Sequence, residues 1–149
     1  EWCDAAAAAL PGCARRSRGD RGSATGRFLL DTLGELRQAY ALADVVVVGR
    51  SFGSLFGSDP VEPIALGKPT VIGPAVADFQ TAVRDLVAAG GLVQCGPDLL
   101  ADRLRELLRE PSRRSTVAEA GRAEIRRRQG ASMRTAQVLR TLARSRWAS

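Results

Sequence analysis

The chain has 149 residues, of which 45% are hydrophobic and 26% charged, a composition typical of one globular domain with a real core. Its net charge of +6 comes almost entirely from arginine and favours acidic partners such as phosphates, nucleic acid or an anionic membrane surface. The absence of histidine excludes imidazole base catalysis and histidine metal ligation, and three cysteines without CxxC spacing argue against a zinc site or a disulfide framework.

The first third of the chain predicts a helix, a surface loop, and then a strand followed by a helix. The opening residues have a helical pattern, and the Gly-, Ser- and Arg-rich segment 14–26 predicts a loop that is flexible over 17–26. Residues 27–31 predict a strand, and 32–43 carry apolar residues at helical spacing with Thr32 as the N-cap. Because the chain opens inside a helical pattern without an initiating methionine, we expect a fragment or an N-terminally truncated domain.

Four consecutive valines between Asp44 and Gly49 predict a strand that is buried on both faces. Such a strand belongs in a parallel sheet that is covered on both sides. Strands and helices then alternate along the chain, which predicts an α/β fold with a Rossmann-like parallel sheet and helices on both faces. The remaining predicted elements are a helix at 60–67, a strand at 69–74, a helix at 78–90, a strand at 91–96, a helix at 97–111 and one or two C-terminal helices within 112–149.

The loops that follow the strands are the candidate ligand-binding segments, because ligands in such folds bind beyond the carboxyl ends of the strands. The loop from Gly49 to Gly57 is rich in glycine and serine, and glycines let backbone N–H groups approach a phosphate closely. A flexible surface loop is the alternative explanation of the same composition. The sequence has no GxGxxG fingerprint, so a dinucleotide site is not supported.

Asp59 and Glu62 stand three residues apart, where this loop turns into a helix. One interpretation is a capping box, in which both carboxylates accept hydrogen bonds from backbone N–H groups at the helix start. The other is nucleotide binding, in which Glu62 accepts hydrogen bonds from the two hydroxyls of a ribose. Gly34 and Glu35 similarly open a helix, and their backbone N–H groups either bind an anion or simply begin the helix.

The segments "LLDTLGELRQAYALADVVVVGRSF" and "GSDPVEPIALGKPTVIGP", with the Phe79 that follows them, resemble the 3-deoxy-D-manno-octulosonic acid (Kdo) transferase family of lipid A biosynthesis. The resemblance covers roughly residues 28–142. It implies the C-terminal, donor-binding half of a two-domain GT-B glycosyltransferase that lacks its first strands. Residues 1–149 would then be a partial nucleotide-sugar-binding domain, inactive alone, of an enzyme that transfers Kdo from CMP-Kdo to a lipid A precursor in lipopolysaccharide biosynthesis.

The resemblance also implies which residues form a CMP site, with the glutamate of the later segment expected at the ribose hydroxyls. The residues that stand on the nucleotide-contacting segments of the family are Leu33, Gly34, Glu35, Asp59, Pro60, Val61 and Glu62. The candidates for a phosphate loop are Arg50, Ser51 and Ser58. The resemblance places the catalytic base in the missing N-terminal half, so we assign no catalytic residue to this chain. We also expect no cofactor and no metal.

The loop from Gly49 to Gly57, called the glycine loop below, and the two residues after it depart from the family pattern. Phe56 replaces a family glycine, and Ser58 and Asp59 replace a histidine and an asparagine. Arg50 replaces another glycine and adds a positive charge that can compensate Asp59. Two alternatives therefore stay open: a non-catalytic or decayed nucleotide-binding domain, and a GT-B transferase that uses another nucleotide sugar.

The expected partners are the CMP-Kdo donor and, through the missing N-terminal half, a lipid A precursor. The basic C-terminal helices favour an anionic membrane surface as a further partner. Nucleic acid is not expected, because no aromatic stacking platform accompanies the basic runs. No apolar run reaches the roughly 18 residues of a membrane span. The expected location is the cytoplasmic face of the inner membrane, peripheral or anchored through the missing N-terminal part.

Overall fold

The computed structural model describes residues 2–130 and 135–141. The chain divides into two compact units, residues 1–42 (unit 1) and 43–149 (unit 2). The predicted C-terminal helices extend in part over 131–134 and 142–149, which lie outside the described residues.

Unit 1 contains two helices and a short parallel strand pair. The elements are α1 (Trp2–Ala9), β1 (Ala14–Arg15), β2 (Phe28–Leu29) and α2 (Leu36–Leu42). Ala14 pairs with Phe28, and Arg15 pairs with Leu29. The prediction of an uninterrupted loop over 14–26 is wrong at β1, because the Ala14 amide donates to the Arg27 carbonyl and so begins a ladder.

Helix α2 begins later than its sequence pattern predicts. It starts at Leu36, so Thr32 does not cap it, and the Thr32 hydroxyl donates instead to the carboxylate of Glu35. Leu33 therefore lies before the helix, and its side chain is fully exposed. Gly34 follows with a φ of 85°, a left-handed conformation that only glycine adopts without strain. The segment before α2 is a turn rather than the first turn of the helix.

Unit 2 has the predicted α/β architecture around a three-stranded parallel sheet. The strands are β3 (Val46–Val48), β4 (Thr70–Ile72) and β5 (Val93–Gln94), in the order β3-β4-β5. The helices are α3 (Val61–Ala65), α4 (Gln80–Ala88), α5 (Leu100–Arg109) and α6 (Pro111–Arg128). Single 3₁₀ turns follow β3 at Gly49–Ser51 and precede α4 at Ala77–Phe79. The parallel sheet and the helices between its strands confirm the predicted fold class.

Helices cover both faces of this sheet, because successive residues of β4 belong to two different cores. Ile72 packs into a cluster with residues of α3 and α4 and the β3 residue Val48. Val71 points to the opposite face and packs with Leu107 of α5 and Val117 of α6. Helix α6 contacts α3, α4 and α5. Among the described residues, no helix is both long and apolar enough to cross a membrane.

The valine strand is less completely covered than its sequence predicts. Val46 and Val48 are buried, whereas Val47 is 39% exposed. Strand β3 lies at one edge of the three-stranded sheet, where its single strand neighbour within that sheet is β4. A run of valines at a sheet edge therefore buries one face fully and the other in part.

Candidate functional site

The loops after β3 and β4 meet at the carboxyl edge of the sheet in unit 2, and Ser51 joins them. The Ser51 side chain is fully buried. Its hydroxyl donates to the Val48 carbonyl and accepts a 2.7 Å hydrogen bond from the Gly73 amide. Its carbonyl accepts a 2.9 Å hydrogen bond from the Ala75 amide. Ser51 is therefore not placed to touch a phosphate directly, although the sequence made it a candidate for such a contact.

Two glycines let the same loops approach at backbone distance. A Cβ atom at Gly73 would lie 2.2 Å from the carbonyl oxygen of Ser51, so a side chain does not fit there. A Cβ atom at Gly57 would lie 2.7 Å from the Ala75 carbonyl oxygen, and the φ of Gly57 is 92°. The loop after β3 thus contacts the loop after β4 near both of its ends, which makes the predicted glycine loop a packed segment at these points.

Between these two anchor points the loop forms one wall of a cavity of about 430 Å³. The apolar side chains of Leu55 and Phe56 are more than half exposed on this loop. The cavity is lined by Gly53, Ser54, Leu55, Phe56, Pro74, Ala75, Val76, Ala77 and Gln80. The carboxyl edge of unit 2 therefore offers an open hollow with apolar and amide groups, as expected for a ligand-binding edge of a parallel sheet.

Arg50 and Ser58 remain available to a ligand at this edge. Arg50 is exposed directly after β3 and makes no hydrogen bond or ion pair to any described residue. Ser58 is half-buried, and its hydroxyl likewise has no partner among the residues that the structure describes. A guanidinium group without a partner at the carboxyl end of a strand suits a phosphate or a carboxylate.

The structure separates the roles of Asp59 and Glu62. Asp59 accepts a 2.8 Å hydrogen bond from the amide of Val61, the first residue of α3. Its carboxylate therefore satisfies one backbone donor at the helix start, although the N-cap position itself is Pro60, which has no side-chain cap. Glu62 does not reach back to complete a capping box, and its exposed carboxylate has no hydrogen bond or ion pair within the described parts of the chain. Glu62 is thus free to accept hydrogen bonds from a ligand, whereas one oxygen of Asp59 is already used.

The segment "DTLGEL" (residues 31–36), the predicted nucleotide-contacting motif of unit 1, holds two carboxylates with arginine partners. The side chain of Asp31 is buried and accepts hydrogen bonds from the Ser17 hydroxyl at 2.6 Å, the Ser17 amide at 2.8 Å and Arg15 Nε at 2.7 Å. These hydrogen bonds, above all those from Ser17, hold the pKa of Asp31 well below its usual range. Arg16 binds Glu35 through both Nε and Nη2, and this contact, together with the Thr32 hydroxyl, lowers the pKa of Glu35.

The candidate residues are therefore divided between the two units. Leu33, Gly34 and Glu35 lie in unit 1, and the remaining candidates lie in unit 2 at the start of α3 and in the loop before it. Sequence reasoning missed Arg15 and Arg16, because it placed both in a surface loop. No spacing rule links them to carboxylates fifteen or more residues away, so only the pairing of β1 with β2 reveals them.

Comparisons with known proteins agree with the resemblance seen in the sequence. The chain is 42% identical over 130 residues to a 3-deoxy-D-manno-octulosonic acid transferase from Bordetella pertussis. The matched segment covers 85% of this chain and 30% of the relative. It is 29% identical over 115 residues to the enzyme of the same description from Haemophilus influenzae, covering 76% of this chain and 27% of the relative. The chain thus spans less than a third of the length of these relatives.

A solved structure has a similar fold. The C-terminal CMP-Kdo binding domain of WaaA from Acinetobacter baumannii matches with a TM-score of 0.72 and 29% sequence identity, over 76% of this chain and 60% of that one. The family model described as "Glycosyl transferases group 1" matches residues 27–124, about two thirds of the chain. This segment runs from β2 to α6 and includes every candidate site residue. The chain therefore belongs to the group 1 glycosyl transferase family.

Proposed function

We propose that this chain is the donor-binding part of a Kdo transferase, which transfers Kdo from CMP-Kdo to a lipid A precursor in lipopolysaccharide biosynthesis. The observation that carries the proposal is the 42% identity over 130 residues to the Bordetella pertussis enzyme. The similarity to a CMP-Kdo binding domain supports the same donor. The acceptor site and the catalytic base would lie in a part of the enzyme outside this chain, so we expect these 149 residues to be inactive alone.

The free carboxylate of Glu62 supports a nucleotide at the start of α3. A vicinal diol presents two hydroxyl donors that a single carboxylate accepts together, and neither oxygen of Glu62 has a partner among the described residues. Asp59, Pro60 and Val61 shape the turn that presents it, since Pro60 is buried and the Asp59 carboxylate accepts a hydrogen bond from the Val61 amide. Arg50 supplies the positive charge for the phosphate of CMP or the carboxylate of the sugar.

In unit 1 we assign the nucleotide contact to the turn formed by Leu33, Gly34 and Glu35. The Glu35 carboxylate is bound by Arg16 and Thr32, so this turn would offer its backbone and the exposed Leu33 side chain to a ligand. The acceptor, an anionic membrane surface as partner and the cytoplasmic face of the inner membrane belong to the same proposal. A lipid acceptor requires the enzyme to work at a membrane surface.

The first test measures nucleotide binding by titration calorimetry, using the longest protein whose reading frame contains this chain. We expect CMP to bind more tightly than UMP or UDP, and Glu62→Gln to weaken CMP binding severalfold or more because an amide accepts with only one oxygen. The matched control is Glu119→Gln, an exposed glutamate of α6 without a partner among the described residues. Unchanged CMP affinity in Glu62→Gln would remove Glu62 from the site.

A GT-B transferase for another nucleotide sugar is the second candidate. The observation that favours it is Asp59, because a carboxylate at the end of the glycine loop alters the charge next to the expected phosphate site. Tighter binding of UDP than of CMP in the same titration would select this candidate. Failure of all three nucleotides to bind would favour a non-catalytic or decayed domain.

A further inference from the structure

We infer that Ser51 is a positioning residue of the donor edge, which is the carboxyl edge of the sheet in unit 2. Its buried hydroxyl and its carbonyl hold the loop after β3 against the loop after β4. This inference rests on the proposed function, which places the donor at this edge. Ser51 does not touch the ligand itself, because its side chain is fully buried. It acts through Arg50, its exposed neighbour in the same 3₁₀ turn, and through the backbone of Gly73 and Ala75.

The hydroxyl and the carbonyl of Ser51 both have backbone partners. The hydroxyl donates its proton to the Val48 carbonyl, which leaves its oxygen lone pairs to accept the 2.7 Å hydrogen bond from the Gly73 amide. The Ser51 carbonyl accepts from the Ala75 amide at 2.9 Å. One residue therefore joins the end of β3 to two successive points on the loop after β4.

The two loops are closely packed at Ser51. The two loops approach so closely that a Cβ atom at Gly73 would lie 2.2 Å from the Ser51 carbonyl oxygen and 2.9 Å from Cδ1 of Phe52. An alanine at position 51 has no acceptor, so the buried Gly73 amide would lose its partner. The loops would then separate until that amide reached water, and Arg50 would move with its 3₁₀ turn.

A positioning role differs measurably from a role in stability alone. Thr70 provides the matched control, because it is also a fully buried hydroxyl residue that donates to a backbone carbonyl, that of Lys68 at 3.0 Å. It lies at the first residue of β4, the end of the strand opposite to the donor edge. Loss of either hydroxyl lowers stability, but only loss of the Ser51 hydroxyl should alter the spacing of the two loops.

The experiment compares Ser51→Ala, Ser51→Cys and Thr70→Val with the unmodified protein. Titration calorimetry measures CMP affinity, and hydrogen exchange followed by NMR measures protection of the Gly73 and Ala75 amides. We expect Ser51→Ala to weaken CMP binding severalfold and to speed exchange at both amides, while Thr70→Val changes neither. Ser51→Cys keeps a weaker donor and acceptor and should give an intermediate result, and it remains available if the alanine variant does not fold.

Unchanged CMP affinity in the Ser51 variants, or an equal loss in Thr70→Val, overturns the positioning role. If the unmodified protein does not bind CMP, the proposed function fails. Faster exchange at Gly73 and Ala75 in Ser51→Ala would then still support the tie between the loops, and unchanged exchange would overturn it. The two readouts therefore distinguish failure of the inference from failure of the proposed function.

Discussion

Helix α6 approaches the rest of unit 2 at backbone distance at Gly121, and filling this contact should destabilise the fold. A Cβ atom at Gly121 would lie 2.5 Å from Cγ2 of Ile64, a fully buried residue of α3, and 2.7 Å from the carbonyl oxygen of Gly91. Favourable contacts between carbon atoms lie at about 3.5–4.0 Å. Gly121→Ala therefore requires α6 to move by roughly 1 Å away from both neighbours.

Two opposing terms set the size of the effect. Overpacking a tight contact costs about 1–3 kcal/mol. Replacing glycine by alanine inside a helix gains about 1 kcal/mol. The Gly91 carbonyl is backbone and cannot rotate out of the way, so the cost should lie in the upper part of its range. We expect Gly121→Ala to lower the free energy of unfolding by about 1–2 kcal/mol.

Urea denaturation followed by far-UV circular dichroism measures this difference. The control is Ala123→Gly at an exposed position of the same helix, which should lose about 1 kcal/mol through helix propensity alone. Adding the magnitude of that loss to the destabilisation measured for Gly121→Ala gives the packing cost by itself. A variant Gly121→Ala that is as stable as the original protein, or more stable, would refute the close packing of α6 on Gly91 and Ile64.

Two further predictions concern carboxylates with structural partners. Hydrogen bonds from Ser17 and from Arg15 lower the pKa of Asp31, so its stabilisation is complete above the usual aspartate pKa of about 3.9 and is lost as the pH falls below it. Asp31→Asn should therefore be less stable than the original in urea at pH 7, with a gap that narrows on acidification; a constant gap down to pH values of about 3 would contradict this. Asp59→Ala removes the acceptor of the Val61 amide and should cost about 1 kcal/mol in the same assay. Asp59→Asn keeps an acceptor oxygen and should cost less, and equal losses in the two variants would argue against capping.

The sheet of unit 2 was predictable because its strands carry their own signal. The valine run and the segment before Gly73 are each an uninterrupted apolar run bounded by turn residues, and a helix separates them. This pattern is typical of a parallel sheet in an α/β fold. Strand β1 carries no such signal. It has two residues inside a polar loop, and tertiary partners hold it, namely the Arg27 carbonyl and the pairing with β2.

For Asp59 and Glu62 the sequence pattern does not distinguish a structural role from a binding role. A capping box and a ribose-binding carboxylate require the same residue types at the same spacing, so sequence alone left both interpretations open. The structure distinguishes them, because a carboxylate at the helix start either accepts a hydrogen bond from a backbone N–H group or does not. The bond is present for Asp59, and Glu62 is left exposed without a partner among the described residues. A structural role therefore explains the first carboxylate and not the second.

In unit 1 the segment 31–36 contributes differently to the expected site. Asp31 and Glu35 are its acidic residues, and both are bound by arginines of the preceding strand and turn. A carboxylate already held by a guanidinium group is a poor acceptor for a ligand hydroxyl, since the ligand would have to displace a charge-assisted hydrogen bond. The acidic residues of the motif therefore fix the turn at Leu33 and Gly34, and under the proposed function the nucleotide contacts this turn rather than a carboxylate. In unit 2 the relation is reversed, because there Glu62 has no partner among the described residues and Ser51 is buried.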